Sequence, residues 1–145
     1  MKSIDIVKVK LVKEATLRYE YPAQIDEAST AAHIARTFIG DSDRECFVVM
    51  MLDIKHRINK IELVALGGLD GCFIGVREVF KSAILANSAA IIVAHNHPSG
   101  DVTPSREDIK LTESLVKAGE LLDIPVLDHI IIGEGSYSFK NDGRI

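Results

Sequence analysis

Two uninterrupted apolar runs constrain the fold of this chain more than any other feature of its sequence. Residues 46–52 form the first run, and residues 89–94 form the second, whose centre is β-branched. A strand without a polar face is buried on both sides, as in a sheet that helices cover on both faces. We therefore expect residues 89–94 to form a central strand, and we assign a further buried strand to residues 126–132.

The spacing of apolar residues predicts three helices around these strands. The first helix covers residues 29–39 and stops at a glycine, and the second covers residues 77–87. The third has Thr103 as its N-cap, because Pro104 suits the first helical position, and it runs to about Leu122.

Three shorter segments complete the predicted elements. Residues 61–66 form a hairpin with the strand at residues 46–52, and residues 137–139 add a short final strand. Residues 4–13 alternate loosely between apolar and charged side chains, which favours an edge strand near the N-terminus. The order of strands and helices predicts an α/β fold with a mixed sheet flanked by helices.

The composition fits one domain with a substantial core. The chain has 145 residues, of which 47% are hydrophobic, and a chain of this size buries roughly 68–70% of its unfolded surface. A formal net charge of −4 and an aromatic content of 6% provide neither the basic field nor the stacking surface typical of nucleic-acid-binding proteins. Direct nucleic-acid binding is therefore disfavoured, although a local basic patch stays open.

Cysteine usage and the lengths of apolar runs bear on the location of the protein. Cys46 and Cys72 form neither a C-x-x-C pair nor a disulfide framework, which predicts a reducing, cytoplasmic environment. Neither has the histidine spacing of a thiol nucleophile, so we expect both to be packing residues. Charges near the N-terminus interrupt the apolar segment that a secretory signal needs. The sequence contains no run of 18 strongly apolar residues, so no membrane span is predicted.

His95 and His97 stand two residues apart at the end of the second apolar run. If the strand continues, both imidazoles project to the same side, which is the geometry of a pair of metal ligands. Binding sites in α/β sheets gather outside the carboxyl ends of the strands, where these histidines lie. The pair alone is weak evidence, because two polar side chains often simply cap a strand.

An acidic residue on the third predicted helix strengthens the case for a metal. Asp108 continues the apolar stripe of that helix, so its side chain points to the core, where an ionised carboxylate needs a partner. Two imidazoles and one carboxylate with an open fourth position describe a catalytic zinc site. The alternative is that Asp108 binds free N–H groups at the helix start. The stripe consists of Leu111, Leu115, Ala118 and Leu122.

Ser105 precedes Asp108 by three residues and therefore lies near the same site. Its hydroxyl is placed to donate a hydrogen bond to a developing oxyanion. A serine at a helix start also commonly satisfies backbone donors, and this second interpretation stays open.

These residues together resemble a known metalloprotease motif. His95 and His97, followed by seven residues, Ser105, two residues and Asp108, match in full the JAMM motif H-x-H-x(7)-S-x(2)-D of JAB/MPN metalloproteases. Four stretches of sequence also resemble the JAB domain of the bacterial RadC family: LDGC at 69–72, REVFK at 77–81, HNHPSGD at 95–101 and DHII at 128–131. The resemblance implies a JAB/MPN-like (cytidine deaminase-like) single domain at residues 28–145, preceded by an N-terminal strand or extension at residues 1–27.

The resemblance also implies a catalytic glutamate. In the JAMM pattern a glutamate on an upstream strand acts as general acid and base on the water at the zinc, and Glu45, directly before the first apolar run, matches its position. Glu62 and Glu78 are weaker candidates. The implied reaction is hydrolysis of a peptide or isopeptide bond in a peptide or protein substrate. Glu45 would pass the proton of water to the leaving amine, and Ser105 would steady the tetrahedral oxyanion.

Other functions are weighed against this one. Because RadC proteins are named for DNA repair, the alternative is an accessory or binding module with little turnover. The helix-hairpin-helix region that precedes the JAB domain in longer RadC proteins is not expected here, since only about 27 residues precede the resemblance. A zinc deaminase is disfavoured, because the H-x-E and P-C-x-x-C motifs are missing. We expect His129 to be a satisfied core histidine rather than a part of the site.

Overall fold

A computed structural model describes residues 1–20, 22, 24–67 and 74–145. Over these residues the chain forms three helices and five strands. In chain order they are α1 (Ala28–Ile39), β1 (Cys46–Leu52), β2 (Ile58–Leu66), α2 (Val76–Leu85), β3 (Ala90–Asn96), α3 (Arg106–Leu122), β4 (Val126–Ile132) and β5 (Ser136–Ser138). Cys72 and the rest of the LDGC stretch lie outside the described residues.

The five strands form one mixed sheet in the order β2-β1-β3-β4-β5. The middle strand, β3, pairs antiparallel with β1 and parallel with β4. The two outer strands, β2 and β5, each pair antiparallel with their neighbours. The prediction of an α/β domain with a central strand after residue 89 and a β1–β2 hairpin is confirmed.

Helices cover both faces of this sheet, which explains why β1 and β3 are buried along their whole length. Along β1, Val48 and Met50 face a cluster that includes α1, while Phe47 and Val49 face a second cluster with residues of α2 and α3. This alternation is the two-residue period of a strand, with both faces apolar. Within the described part of the chain, no helix is long and apolar enough to span a membrane.

The N-terminal strand predicted at residues 4–13 is wrong. Residues 1–19 contain neither helix nor strand, and the large apolar side chains among them are exposed as far as Val12. Alternation describes only the side chains, whereas a strand also needs backbone hydrogen bonds from a neighbour, and among the described residues this segment has none. Leu17 and Tyr19 are partly buried and pack against the cluster beneath α1. The domain division at residue 27 stays a prediction.

The third helix begins later than predicted, and its predicted stripe faces the core at Asp108, Leu111, Leu115 and Ala118 but not at its last residue. Its N-cap is Ser105 rather than Thr103, because the Ser105 side chain accepts the backbone N–H of Asp108. Leu122, predicted to be in the core stripe, is 41% exposed. The residues of α3 that are buried are Asp108, Thr112, Leu115 and Gly119, so two polar side chains face the sheet.

We expect Gly119→Ala to lower the stability of the protein by about 1–3 kcal/mol, the usual cost of overpacking. A Cβ at this position would lie 2.6 Å from the carbonyl oxygen of Ile124 and 3.3 Å from the backbone nitrogen of Val126. The substitution would therefore push α3 away from β4, although alanine normally stabilises a helix relative to glycine. Urea unfolding measures the effect. Gly135→Ala is the control, because its Cβ would meet nothing within 4 Å.

Candidate metal centre

The end of β3 and the first turn of α3 bring together four side chains that can bind a metal. They are Glu45, His95, His97 and Asp108, and one ligand atom from each lies within 4.8 Å of the others. In the described part of the chain this is the one such group of histidine, cysteine or acidic residues. Glu62 and Glu78 are not in it. The structure therefore brings together the three residues that sequence spacing put forward as ligands, from two elements, with Glu45, which the family resemblance implied, from the residue before β1.

The two histidines occupy the position expected from the strand period. His95 is the sixth residue of β3 and is 1% exposed, and His97 follows the strand directly. Their Nε2 atoms are 3.0 Å apart. The ring of His95 stacks on Phe47 of β1, at a centroid distance of 5.8 Å and an interplanar angle of 14°. The neighbouring strand thus fixes the plane of one imidazole while both Nε2 atoms face the same point.

Asp108 binds to both the histidines and the helix backbone. Its Oδ1 lies 3.3 Å from Nε2 of His95, and its Oδ2 lies 3.2 Å from Nε2 of His97. The same Oδ2 accepts the backbone N–H of Ser105 at 2.9 Å, and the Ser105 hydroxyl accepts the N–H of Asp108 at 3.0 Å. This reciprocal capping box holds the carboxylate in place. The metal-ligand and helix-capping interpretations of Asp108 are therefore compatible.

The carboxyl group of Asp108 is ionised at neutral pH. Burial alone would raise its pKa, but a His95 ring that carries a positive charge lowers the pKa by hydrogen bonding and charge attraction, and together with the bonds from Ser105 it holds the pKa well below its usual value. A buried anion of this kind is stable only beside a positive charge or hydrogen-bond donors.

The hydrogen bonding of His97 tests whether this group suits a metal ion. Nδ1 of His97 lies 2.7 Å from the backbone carbonyl oxygen of Asp101, which can only accept, so Nδ1 carries the hydrogen. Nε2 of a neutral His97 therefore presents a lone pair to the carboxylate of Asp108 and to Nε2 of His95. Lone pairs and carboxylate oxygens that face one another at 3.0–3.2 Å repel unless a proton or a metal cation lies among them. The donor set of nitrogen and oxygen atoms suits zinc.

Glu45 is held at the edge of this group by its backbone. The side chain of Asn96, between the two histidines, accepts the N–H of Cys46 at 2.6 Å and donates to the carbonyl oxygen of Arg44 at 3.0 Å. It thus brackets Glu45 from both sides. Oε1 of Glu45 lies 3.9 Å from Nε2 of His95, farther than the nearest oxygen of Asp108, and its side chain is 26% exposed. Glu45 is therefore beside the candidate ligands and in contact with solvent.

The structure connects two further residues to the centre: His129, which the sequence analysis left out of the site, and Thr112, which it did not consider. Nε2 of His129, on β4, lies 2.8 Å from Nδ1 of His95, and Nδ1 of His129 lies 2.6 Å from the hydroxyl of Thr112. Burial holds the pKa of His129 well below its usual value. Our expectation of a satisfied core histidine is right about its burial but misses its partner. The signal was a polar residue inside a buried strand.

Two further residues from the sequence analysis, Ser105 and Cys46, lie close to the ligand group in sequence. Ser105 is exposed at the start of α3, and its hydroxyl keeps its own hydrogen after accepting the N–H of Asp108. Cys46 is buried and unpaired, as expected of a packing residue, and its Sγ contacts the hydroxyl of Ser42.

Comparison with known proteins decides the family. Residues 25–144 match the model of the RadC-like JAB domain. The chain belongs to the RadC-like JAB domain family. It is 53% identical to a UPF0758 protein of Methanosarcina acetivorans over 106 residues. These aligned residues cover 72% of this chain and 46% of that protein. It is 57% identical over 95 residues to a UPF0758 protein of Chloroflexus aggregans, which covers 66% and 42% respectively.

A third relative extends the match. A UPF0758 protein of Roseiflexus castenholzii is 47% identical over 114 residues, or 79% of this chain and 49% of that protein. The chain therefore spans less than half the length of the curated relatives it matches. The fold expected of a JAB domain agrees with the single mixed sheet and its three helices.

We expect Asn96→Ala to destabilise the protein by about 1–3 kcal/mol, because it leaves the buried N–H of Cys46 without an acceptor. Chemical denaturation of the metal-free protein checks this value. Asn59→Ala on β2 is the matched control, since Asn59 is exposed. A loss of stability no larger than that of the control would contradict the bracketing role of Asn96.

Proposed function

We propose that this domain is a zinc-dependent hydrolase of peptide or isopeptide bonds. The observation that carries the proposal is the convergence of two imidazoles and two carboxylates within 4.8 Å at the junction of β3 and α3. His95, His97 and Asp108 would hold the ion, and a peptide or protein would be the substrate. When bound, zinc would lower the pKa of a water molecule to about 7 and polarise a substrate carbonyl.

Glu45 has the position required of a general base and acid. Its carboxylate stands next to the candidate ligands but farther from His95 than Asp108 does, and a quarter of its side chain is open to solvent. It can therefore accept a proton from water at the centre and return it to a leaving amine. The bonds of Asn96 to both neighbouring peptide groups keep the main chain of Glu45 fixed during this transfer.

Ser105 supports the same reaction from the opposite element. Because its hydroxyl accepts the N–H of Asp108, the oxygen is fixed while the hydroxyl hydrogen stays available for donation. A donor held in this way stabilises negative charge that develops on a carbonyl oxygen. Its exposure at the helix start leaves room for a substrate.

We expect Glu45→Gln to keep its zinc and to lose roughly 10²- to 10⁴-fold in turnover, the usual contribution of a general acid or base. Metal analysis and a screen of peptide and isopeptide libraries measure the two quantities on the same preparation. Glu78→Gln is the matched control, because this exposed glutamate pairs with Lys81 on α2, outside the ligand group. Full turnover by Glu45→Gln would reject the role of Glu45.

We also expect zinc to raise the melting temperature of the protein, since a ligand at one hundred times its Kd adds about 2.7 kcal/mol of stability. His97→Ala should remove both this shift and the hydrolytic activity. Thermal unfolding with and without added zinc measures the shift, and His56→Ala, at an exposed turn outside the ligand group, should leave it unchanged. A shift of the same size in His97→Ala would contradict the assignment of His97.

The competing proposal is an accessory or binding module in DNA repair that has little turnover. Zinc binding by the wild type without hydrolysis of any library member would favour it. Filter binding to DNA across a salt series separates the two, because phosphate contacts make affinity fall steeply with salt. The net charge of −4 supports the hydrolase over direct DNA binding. We place either activity in a reducing, cytoplasmic environment, which the free thiol of Cys46 supports.

A further inference from the structure

The hydroxyl group of Thr112 on α3 has two hydrogen-bond partners but only one hydrogen. It lies 2.7 Å from the backbone carbonyl oxygen of Asp108, one turn earlier, and 2.6 Å from Nδ1 of His129. A carbonyl oxygen can only accept, so Thr112 donates to Asp108. The contact with His129 must then run the other way. Nδ1 of His129 therefore carries a hydrogen and donates it to the Thr112 oxygen.

The hydrogen on Nδ1 fixes the other nitrogen of His129. The ring is fully buried, stacked on Phe139 with centroids 4.8 Å apart and met at its edge by Phe47. Such an apolar setting disfavours a charged imidazole, so the neutral ring has its single hydrogen on Nδ1 and a lone pair on Nε2. Nε2 of His129 therefore accepts a hydrogen bond from Nδ1 of His95, 2.8 Å away.

The hydrogen on Nδ1 of His95 fixes the other nitrogen of that ring in the same way. With its hydrogen on Nδ1, a neutral His95 has its lone pair on Nε2, which faces Nε2 of His97 at 3.0 Å and Oδ1 of Asp108 at 3.3 Å. We propose that Thr112 and His129 are positioning residues that select this tautomer of His95, so that its Nε2 is ready to bind a cation. The role toward a metal rests on the proposed function, whereas the choice of tautomer does not.

These hydrogen bonds form a relay that runs from Asp108 through Thr112 and His129 to His95. The relay begins and ends on Asp108. The carbonyl oxygen of Asp108 accepts from Thr112, and the carboxylate of Asp108 meets the ring of His95 at the other end. A shift of α3 along β4 would therefore disturb the tautomer and the carboxylate together. His97 has a separate device, the carbonyl oxygen of Asp101, which selects the same Nδ1–H tautomer. Both histidines thus have Nε2 facing the ligand group, and a different backbone carbonyl oxygen selects the tautomer of each.

Nitrogen-15 NMR of the metal-free wild type tests the tautomers without any variant in the relay. Long-range proton–nitrogen correlations of labelled histidines distinguish Nδ1–H from Nε2–H rings, and single substitutions at His33 and His56 help to assign the signals. We expect Nδ1 of both His95 and His129 to carry a hydrogen. A ring with no hydrogen on Nδ1 at either position would overturn the inference.

The variant Thr112→Val tests the effect on metal binding, because valine keeps the shape and removes the hydroxyl. We expect its zinc affinity, measured by competition with a chromophoric chelator, to fall by roughly 10- to 100-fold, as is usual when the outer partner of a histidine ligand is lost. Thr112→Ser should restore the affinity and the wild-type tautomers. Unchanged affinity and unchanged tautomers in Thr112→Val would overturn the inference.

The matched control is Thr37→Val on α1. The Thr37 hydroxyl also bonds to the carbonyl oxygen four residues earlier, at 2.9 Å, but it lies outside the ligand group and the relay. This variant should leave zinc affinity unchanged, so a loss confined to Thr112→Val reports on the relay rather than on the helix bond. If the wild type has the expected tautomers but binds no zinc, the proposed function fails and the relay stands. If it binds zinc and the tautomers differ, the relay fails alone.

Discussion

Repulsion among hydrogen-bond acceptors is the constraint on which the rest of this structure depends. The Asp108 carboxylate and the Nε2 atoms of His95 and His97 meet at distances of 3.0–3.3 Å, and hydrogen bonds on the far side of each ring direct their lone pairs inward. A positive charge at the centre of such a group would relieve this repulsion. The sheet, the capping box and the buried histidine of β4 all hold these atoms together against that repulsion.

Most of the sheet follows from the sequence because burial on both faces leaves a clear mark. The apolar runs of β1 and β3 predict buried strands, and β4 begins and ends where predicted. The N-terminal segment shows the limit of this reasoning. Its alternation of apolar and charged side chains is compatible with a strand, but no periodicity reveals whether a backbone partner exists, and the described residues provide none.

The candidate site was predictable to the extent that its residues share a local spacing. His95, His97, Ser105 and Asp108 lie within 14 residues of sequence, so their pattern can be recognised in the chain alone. Thr112 and His129 could not be assigned in that way, because tertiary packing of α3 on β4 brings them together. The predicted stripe of α3 included Leu122, which is exposed, and correctly included Asp108. It omitted Thr112, which faces the sheet through polar bonds that apolar periodicity does not reveal.

The capping box at Ser105 and Asp108 has a consequence for how an ion would bind and dissociate. Because backbone N–H groups orient the carboxylate, the first turn of α3 keeps its shape through bonds internal to the helix. If the proposed ion binds here, its loading and release would require little rearrangement of the chain, unlike zinc fingers, which unfold when stripped of metal. Under that proposal the domain would lose its ion to a chelator and take up a replacement while the scaffold persists.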